Sequence, residues 1–360
     1  LQFPFGGYRA GQRKMAVRAY RALRDRHGLL AQAPTGTGKT AGALFPALKA
    51  LGDGHISKVM YLTARRTTRR AAWDCLKLLK ANGLRARVCV ITAKEQICMT
   101  PGARCIPESC PYCAGYFDKR RAALDDAQDA TEYDYDFIRA LAEKHGVCPF
   151  ELSLDISEFS DVIICDYNYV FDPNAYLRRF FTTKTQFGLL IDEAHNLESR
   201  ARDMLSCSIN FDDYVKLYRH LNAQLGPGSN ECVQLVKFMT VWRAFGGGRE
   251  HPPFDNARPV SLIKACQELT DATSPSLSVQ AECSGEWAER WFGLLDFARV
   301  GAMYDGENFA TLYEPHDRAV DVTQLCVDAT THIRKCMTKA RAYVLFSATL
   351  TPMKYYFSAL

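Results

Sequence analysis

Residues 33–40 read Ala-Pro-Thr-Gly-Thr-Gly-Lys-Thr, between the short strand-like stretch Leu29-Leu30-Ala31-Gln32 and a helix-patterned run from Thr40 to Leu51. Gly36 and Gly38 let this loop adopt backbone angles closed to other residues, so that amide groups can approach one anion, with Thr35 and Thr37 between and before them. Thr40 opens a helix whose N-terminus carries partial positive charge. Lys39 can reach β- and γ-phosphates, and the Thr40 hydroxyl can ligate magnesium. A strand before this loop and a helix after it are what the phosphate cradle requires, and that order points to a parallel α/β sheet.

A second string lies 153 positions after Lys39, where Asp192-Glu193-Ala194-His195 follows the apolar Leu189-Leu190-Ile191. An acid at the C-terminal end of a buried strand sits where ligands of open α/β sheets bind. Asp192 can hold the magnesium, usually through water, and Glu193 can accept a proton from an attacking water. His195, in this string, couples nucleotide state to the rest of the site.

Strand and helix patterns alternate through the first 92 residues. A helix spans 12–26, and strands are expected at Lys58–Thr63 and Ala86–Thr92, with a basic helix to about Lys80 between them. The alternation breaks near Ala93. Pro101, Gly102, Pro107 and Pro111 interleave with Cys98, Cys105, Cys110 and Cys113, and Cys148 follows two polar helices at 115–130 and 135–145. Thiolates so grouped suit either tetrahedral zinc or a [4Fe–4S] cluster. In a large chain with nucleotide machinery they point to the reducing cytosol and to metal rather than disulfides. The sheet resumes at Asp161–Cys165 and Phe187–Ile191. Helical spacing then runs through 200–336, with loops at Gly226-Pro227-Gly228 and Gly246-Gly247-Gly248, before a last strand, Ala342–Phe346, ends in Ser347-Ala348-Thr349-Leu350.

The net charge of +5 permits nucleic-acid binding without arguing for it. Basic residues do cluster, at Arg65, Arg66, Arg69 and Arg70, at Lys119, Arg120 and Arg121, and at Arg178 and Arg179. No apolar run approaches the ~18 residues of a membrane span.

Taken as a set, Gln12, Gly36-Thr37-Gly38-Lys39-Thr40, Thr63-Ala64-Arg65, Asp192-Glu193-Ala194-His195 and Ser347-Ala348-Thr349 resemble motifs Q, I, Ia, II and III of superfamily 2 helicases. The cysteine insert between motifs Ia and II, and the helical insert between II and III, resemble those of the DinG/XPD-type iron–sulfur DNA helicases. The resemblance implies a RecA-like P-loop NTPase sheet formed by residues 1–92, 151–200 and 338–360. It further implies an iron–sulfur domain at 93–150 and a helical arch domain at 201–337.

The same resemblance implies roles. Gln12 would read adenine, Lys39 and Thr40 would serve phosphate and Mg2+, and Ser347 and Thr349 would link hydrolysis to movement. Thr63 and Arg65 would contact the DNA backbone, with Tyr167 and Asn168 lining the DNA path. Cys98, Cys105, Cys110 and Cys148 would hold the [4Fe–4S] cluster, and Cys113 is the alternative third or second ligand. The activity implied is an ATP-driven, cytoplasmic 5′–3′ motor acting as a monomer on single-stranded DNA and on forked or damaged duplexes in DNA repair, nucleoid-associated in a bacterium. The alternative is a single-stranded-DNA-binding metal-cluster module with no catalysis of its own. Relatives carry a second RecA-like domain with an arginine finger after motif III; the expectation for these 360 residues alone is weak ATP binding and little hydrolysis.

Overall fold

The computed structural model describes residues 1–103, 105, 107–175, 177, 180, 186–246, 253–273, 284–315 and 319–360. Arg178, Arg179, Gly247 and Gly248, singled out from the sequence, lie outside the described residues. The chain divides into two compact units, one of residues 1–198 with 330–360, the other of residues 199–329.

The first unit is built on a seven-stranded sheet. Its strands are β1 (Gly28–Gln32), β2 (Lys58–Leu62), β3 (Val88–Val90), β4 (Glu132–Tyr133), β5 (Val162–Cys165), β6 (Phe187–Asp192) and, after the second unit's β7–β10, the final β11 (Ala342–Ser347). The order is β1-β11-β6-β2-β5-β3-β4, and every pairing is parallel. Parallel strands covered on both faces read as continuous apolar runs. Every residue of β2, β5 and β6 is accordingly buried. On one face, Met15, Ala19 and Leu23 of the helix Gln12–Asp25, Leu44, Ala47 and Leu48 of Lys39–Gly52, and Leu76 and Leu79 of Arg66–Ala81 form a single core with Val59, Ile164 and Leu190 of the sheet. Each such aliphatic side chain, fully buried, contributes about 1.5–3 kcal/mol.

The cysteine-bearing segment leaves the sheet after β3 and returns to it as β4, an edge strand of two residues that the sequence pattern did not reveal. The helices Tyr116–Ala127, Tyr135–His145 and Pro149–Phe159 belong to this stretch. Lys58 at the start of β2 is buried, and its ammonium donates to the carbonyls of Ser157 (2.9 Å), Glu158 (3.1 Å) and Ser160. Burial pulls its pKa down to about 8. This cation satisfies the last carbonyls of Pro149–Phe159 and ties that helix to the sheet.

The second unit contains the helices Phe211–Leu225, Asn230–Gly246, Val260–Thr273 and Ser284–Met303, close to the expected helical stretches. It also contains an antiparallel sheet in the order β7-β10-β9-β8, with β7 (Cys207–Ile209), β8 (Phe254–Asp255), β9 (Phe309–Pro315) and β10 (Val320–Cys326). Its core centres on Trp242, which is fully buried and packs edge-on against Phe211 and Phe238. The Trp242 indole donates to the Val320 carbonyl at 2.7 Å. The boundary expected at residue 337 differs from the one observed: the helix Thr330–Met337 belongs to the first unit, where the His332 ring hydrogen-bonds the Phe171 carbonyl.

Candidate functional site

The C-terminal edge of the seven-stranded sheet gathers three sequence strings that are far apart in the chain. The loop 33–40 follows β1, Asp192 ends β6, and Ser347 ends β11, the strand that lies between those two. The Ala33 amide donates to the Ser347 carbonyl at 2.9 Å, which ties the start of the loop to the tip of β11.

The loop is held from the other side by the segment that opens the first helix. Gln12 is buried; its Oε1 accepts from the Arg9 amide at 3.0 Å, and its Nε2 donates to the Gly38 carbonyl at 2.9 Å. Arg9 donates to the Gly36 carbonyl at 2.5 Å, and Thr37 donates to the Pro34 carbonyl at 2.8 Å. Gly36 and Gly38 have φ of 80° and 75°. A Cβ at Gly38 would also stand 2.4 Å from Gln12 Nε2, so both conformation and space require glycine there. Lys39 is the first residue of the helix that follows, and Thr40 is the second. Thr35 is exposed, whereas Thr37, Lys39 and Thr40 are half-buried.

Asp192 is 3% exposed. Burial pushes its pKa up to about 6, against a hydrogen bond from Tyr61 that favours the ionised form, with Glu193 raising it and Lys39 lowering it. Its Oδ2 accepts from the Tyr61 hydroxyl at 2.5 Å, and its Oδ1 accepts from the Glu193 amide at 2.9 Å. Glu193 has φ 51° and ψ 43°, one of two described non-glycine residues in the left-handed region. That conformation costs about 1–2 kcal/mol. It turns the chain sharply from β6 into the short helix Ala194–Asn196.

The Glu193 carboxylate meets both other acidic-string and β11 partners. Ser347 Oγ donates to Glu193 Oε2 at 3.2 Å, His195 Nδ1 lies 2.6 Å from Ser347 Oγ, and His195 Nδ1 lies 3.3 Å from Glu193 Oε2. The Thr349 amide donates to Ser347 Oγ at 3.3 Å. Glu193, His195, Ser347 and the Thr349 amide are thus one hydrogen-bonded group.

Two residues assigned to DNA are placed otherwise. Tyr167 is fully buried, and its hydroxyl donates to the carbonyls of Asp192 and, at 3.1 Å, of Glu193. It therefore offers no face for a base to stack on; it pins the acidic turn from below. Thr63 is also fully buried, its hydroxyl engaged with Thr68 and with the Arg65 amide at 3.4 Å, so it caps the turn that starts the helix Arg66–Ala81. Arg65 itself is exposed, and Asn168 is half-buried at the start of the short helix Asn168–Phe171. Beside Arg65 a cleft of about 790 Å³ is lined by Arg66, Arg69, Arg70, Trp73, Lys77 and also by Asp134 and Asp136. Sequence reading missed Tyr61 and the clamp role of Tyr167. Each is an aromatic in or next to a buried strand, and only the fold shows where its hydroxyl goes.

The cysteines converge around two side chains. The Thr100 hydroxyl lies 3.9 Å from Cys98 Sγ and 3.3 Å from Cys110 Sγ. Lys94 loses by burial but stays charged because Cys105 hydrogen-bonds it and Cys148 lies near. Burial and then the Cys110 thiol push Cys113 up to about 12. Burial alone would raise Cys110, but Thr100 and the amides of Cys113 and Tyr112 outweigh it and the net shift is downward. Cys148 occupies the N-cap of Pro149–Phe159, where the amides of Glu151 and Phe150 favour its thiolate, although burial leaves its pKa raised. In donor type the set suits a thiolate-bound group. Among the described residues, no three or more His, Cys, Asp or Glu side chains close into a metal-holding arrangement. Nor is any described helix long and apolar enough to cross a membrane.

Comparison with known proteins gives concordant matches. Residues 12–99 match the family model described as DEAD/DEAH box helicase, and residues 73–214 match the one described as DEAD_2. The chain is similar to the regulator of telomere elongation helicase 1 of Homo sapiens, at 23% identity over 78% of this chain and 25% of that protein. The chain therefore spans about a quarter of the length of that curated relative. Among solved structures it resembles one titled XPD helicase, with TM-score 0.60 and 17% identity over 98% of this chain and 60% of that one. It also resembles one titled truncated XPD, with TM-score 0.60 and 16% identity over 96% of each chain.

Proposed function

We propose that the chain, as a member of the XPD/DinG-type superfamily 2 helicases, is an ATP-hydrolysing motor unit that moves 5′–3′ on single-stranded DNA and separates duplexes during DNA repair. One observation carries the reading: the anion loop 33–40, the acids Asp192 and Glu193, and Ser347 meet at one edge of one parallel sheet. In this reading the loop amides and Lys39 bind the ATP phosphates. Thr40 and Asp192 hold Mg2+, which would neutralise phosphate charge. Glu193, oriented by Ser347 and His195, takes the proton of the attacking water. Loss of the γ-phosphate then changes what Glu193 faces, and Ser347 carries that change to β11 and onward to Thr349.

Residues 93–150 form the iron–sulfur domain of this proposal, and the unit of residues 199–329 its arch. Cys98, Cys105, Cys110 and Cys148 would hold the cluster. A [4Fe–4S] group cross-links its segment and can exchange single electrons. Arg65, exposed before its helix, contacts a DNA phosphate.

The test is ATP hydrolysis with and without nucleic acid, measured with this chain linked to a second RecA-like domain, because little hydrolysis is expected of these 360 residues alone. Single-stranded DNA is expected to raise turnover more than RNA does. Lys39→Ala is expected to abolish hydrolysis and to leave salt-sensitive DNA binding intact. Stimulation by RNA alone, or none by DNA, overturns the proposal.

A further inference from the structure

Tyr61 is the fourth of the five residues of β2, opposite Leu190 of β6, and is fully buried. Its ring lies 6.1 Å from that of Phe346 at an interplanar angle of 62°. Its hydroxyl donates to Asp192 Oδ2 at 2.5 Å. Asp192 is one of the two side chains assigned above to the divalent cation.

We propose that Tyr61 is a positioning residue for the divalent cation of the nucleotide site, fixing the Asp192 carboxylate through its phenol. A carboxylate ligates well when it cannot rotate. Asp192 has one donor on each oxygen, Tyr61 on Oδ2 and the Glu193 amide on Oδ1, which fixes its plane and leaves lone pairs on both atoms for the cation or its waters. Orientation is thus set before the cation arrives, and the cost of ordering that ligand is removed from binding. This inference rests on the nucleotide-site reading and adds a residue to it.

A buried phenol also needs a partner for its own sake, and a purely structural Tyr61 would change stability alone. The experiment separates the two. Fluorescent ADP binding is titrated with Mg2+, and Mn2+ binding is followed by electron paramagnetic resonance, for wild type and Tyr61→Phe. The expected result is cation half-saturation weakened about tenfold or more in the variant, with ADP binding in EDTA unchanged within twofold. Equal cation half-saturation in the two proteins, whatever the change in melting temperature, overturns the inference and leaves the nucleotide site standing. Absence of any cation-dependent ADP binding in wild type overturns the site reading and the inference with it. If Tyr61→Phe does not fold, 3-fluorotyrosine placed at position 61 keeps both the ring and the hydroxyl. Its 19F resonance is expected to move when Mg2+ is added to ADP-loaded protein, and a resonance unmoved by Mg2+ overturns the inference.

Discussion

Gln12 Nε2 donates to the Gly38 carbonyl at 2.9 Å, so the side chain that opens the first helix holds the middle of the anion loop in place. With Oε1 accepting from the Arg9 amide, the carboxamide is held within the protein at both its nitrogen and its oxygen. Its contribution to nucleotide binding is therefore to shape the loop, in addition to any contact with a base.

Gln12→Ala removes both contacts and leaves the half-buried Gly38 carbonyl with only the Gly42 amide of the two donors described. The expected loss is about 1–3 kcal/mol of stability. KM for ATP is expected to rise more than kcat falls, since loop shape serves ground state and transition state alike. Urea unfolding and steady-state kinetics on the same preparation check this. A variant as stable as wild type with unchanged KM contradicts the clamp.

Lys39→Ala leaves the loop backbone intact, because the glycines and Gln12, not Lys39, define it. Removing a cation aimed at transferring phosphate is expected to lower kcat for ATP by about 100-fold or more. The melting temperature without nucleotide should stay within about 2 °C, as for a surface substitution. Phosphate-release assays and thermal melts measure both.

Tyr167→Phe keeps the buried ring and deletes the hydroxyl that donates to the Asp192 and Glu193 carbonyls. Glu193 holds a left-handed conformation that its surroundings must enforce. The variant is expected to lose about 1–3 kcal/mol and to hydrolyse ATP more slowly, with single-stranded DNA affinity within about twofold of wild type. Fluorescence anisotropy with labelled oligonucleotides reads the last quantity. A large selective loss of DNA affinity would restore Tyr167 to the DNA path.

Burial lowers the His332 pKa below its ordinary value, opposed by the Phe171 carbonyl that its Nε2 meets at 2.7 Å. Lys335 and Lys339 lower it further, Asp172 raises it, and Cys336 Sγ stands 3.5 Å away. The unfolded chain therefore binds a proton first as pH falls through about 6.5. Stability from this site is complete above that pH and is lost as pH drops toward the lower folded value. Urea midpoints between pH 7.5 and 5 should fall less for His332→Gln than for wild type.

Cys105→Ser and Cys113→Ser distinguish the two ligand sets left by the sequence. Loss of iron and sulfide on anaerobic purification is expected for Cys105→Ser, and retention for Cys113→Ser. Elemental analysis with absorbance near ~400 nm, where thiolate-bound clusters absorb, reports both. Zinc without iron in wild type would replace the cluster by a tetrahedral site.

The strands that carry the site were legible because their composition and position agree. Phe187–Asp192 is apolar up to its final acid, and a buried parallel strand that ends in a charge at the sheet's C-terminal edge has few other uses. Strand β4 was not legible, since two residues give no period and Glu132-Tyr133 lies between two helices. Val320–Cys326 did alternate, with Val320, Val322 and Cys326 inward, but Gln324 broke the pattern. That glutamine is fully buried because its amide donates to the Phe297 carbonyl at 2.8 Å, a contact no local pattern announces. Tyr167 and Thr63 were assigned outward-facing roles from their place in a motif. Their burial follows from β2, β5 and β6 lying side by side, which only the strand order reveals.

Ser347 is a single peptide unit with two listeners. Its carbonyl takes the first amide of the anion loop, and its hydroxyl faces the acid that would prepare the water. Any shift of the β11 tip by a fraction of an ångström must therefore be felt at both places in the same instant. Phosphate grip and water activation cannot be retuned separately by moving that strand: a force arriving through β11 slackens or tightens them as a pair.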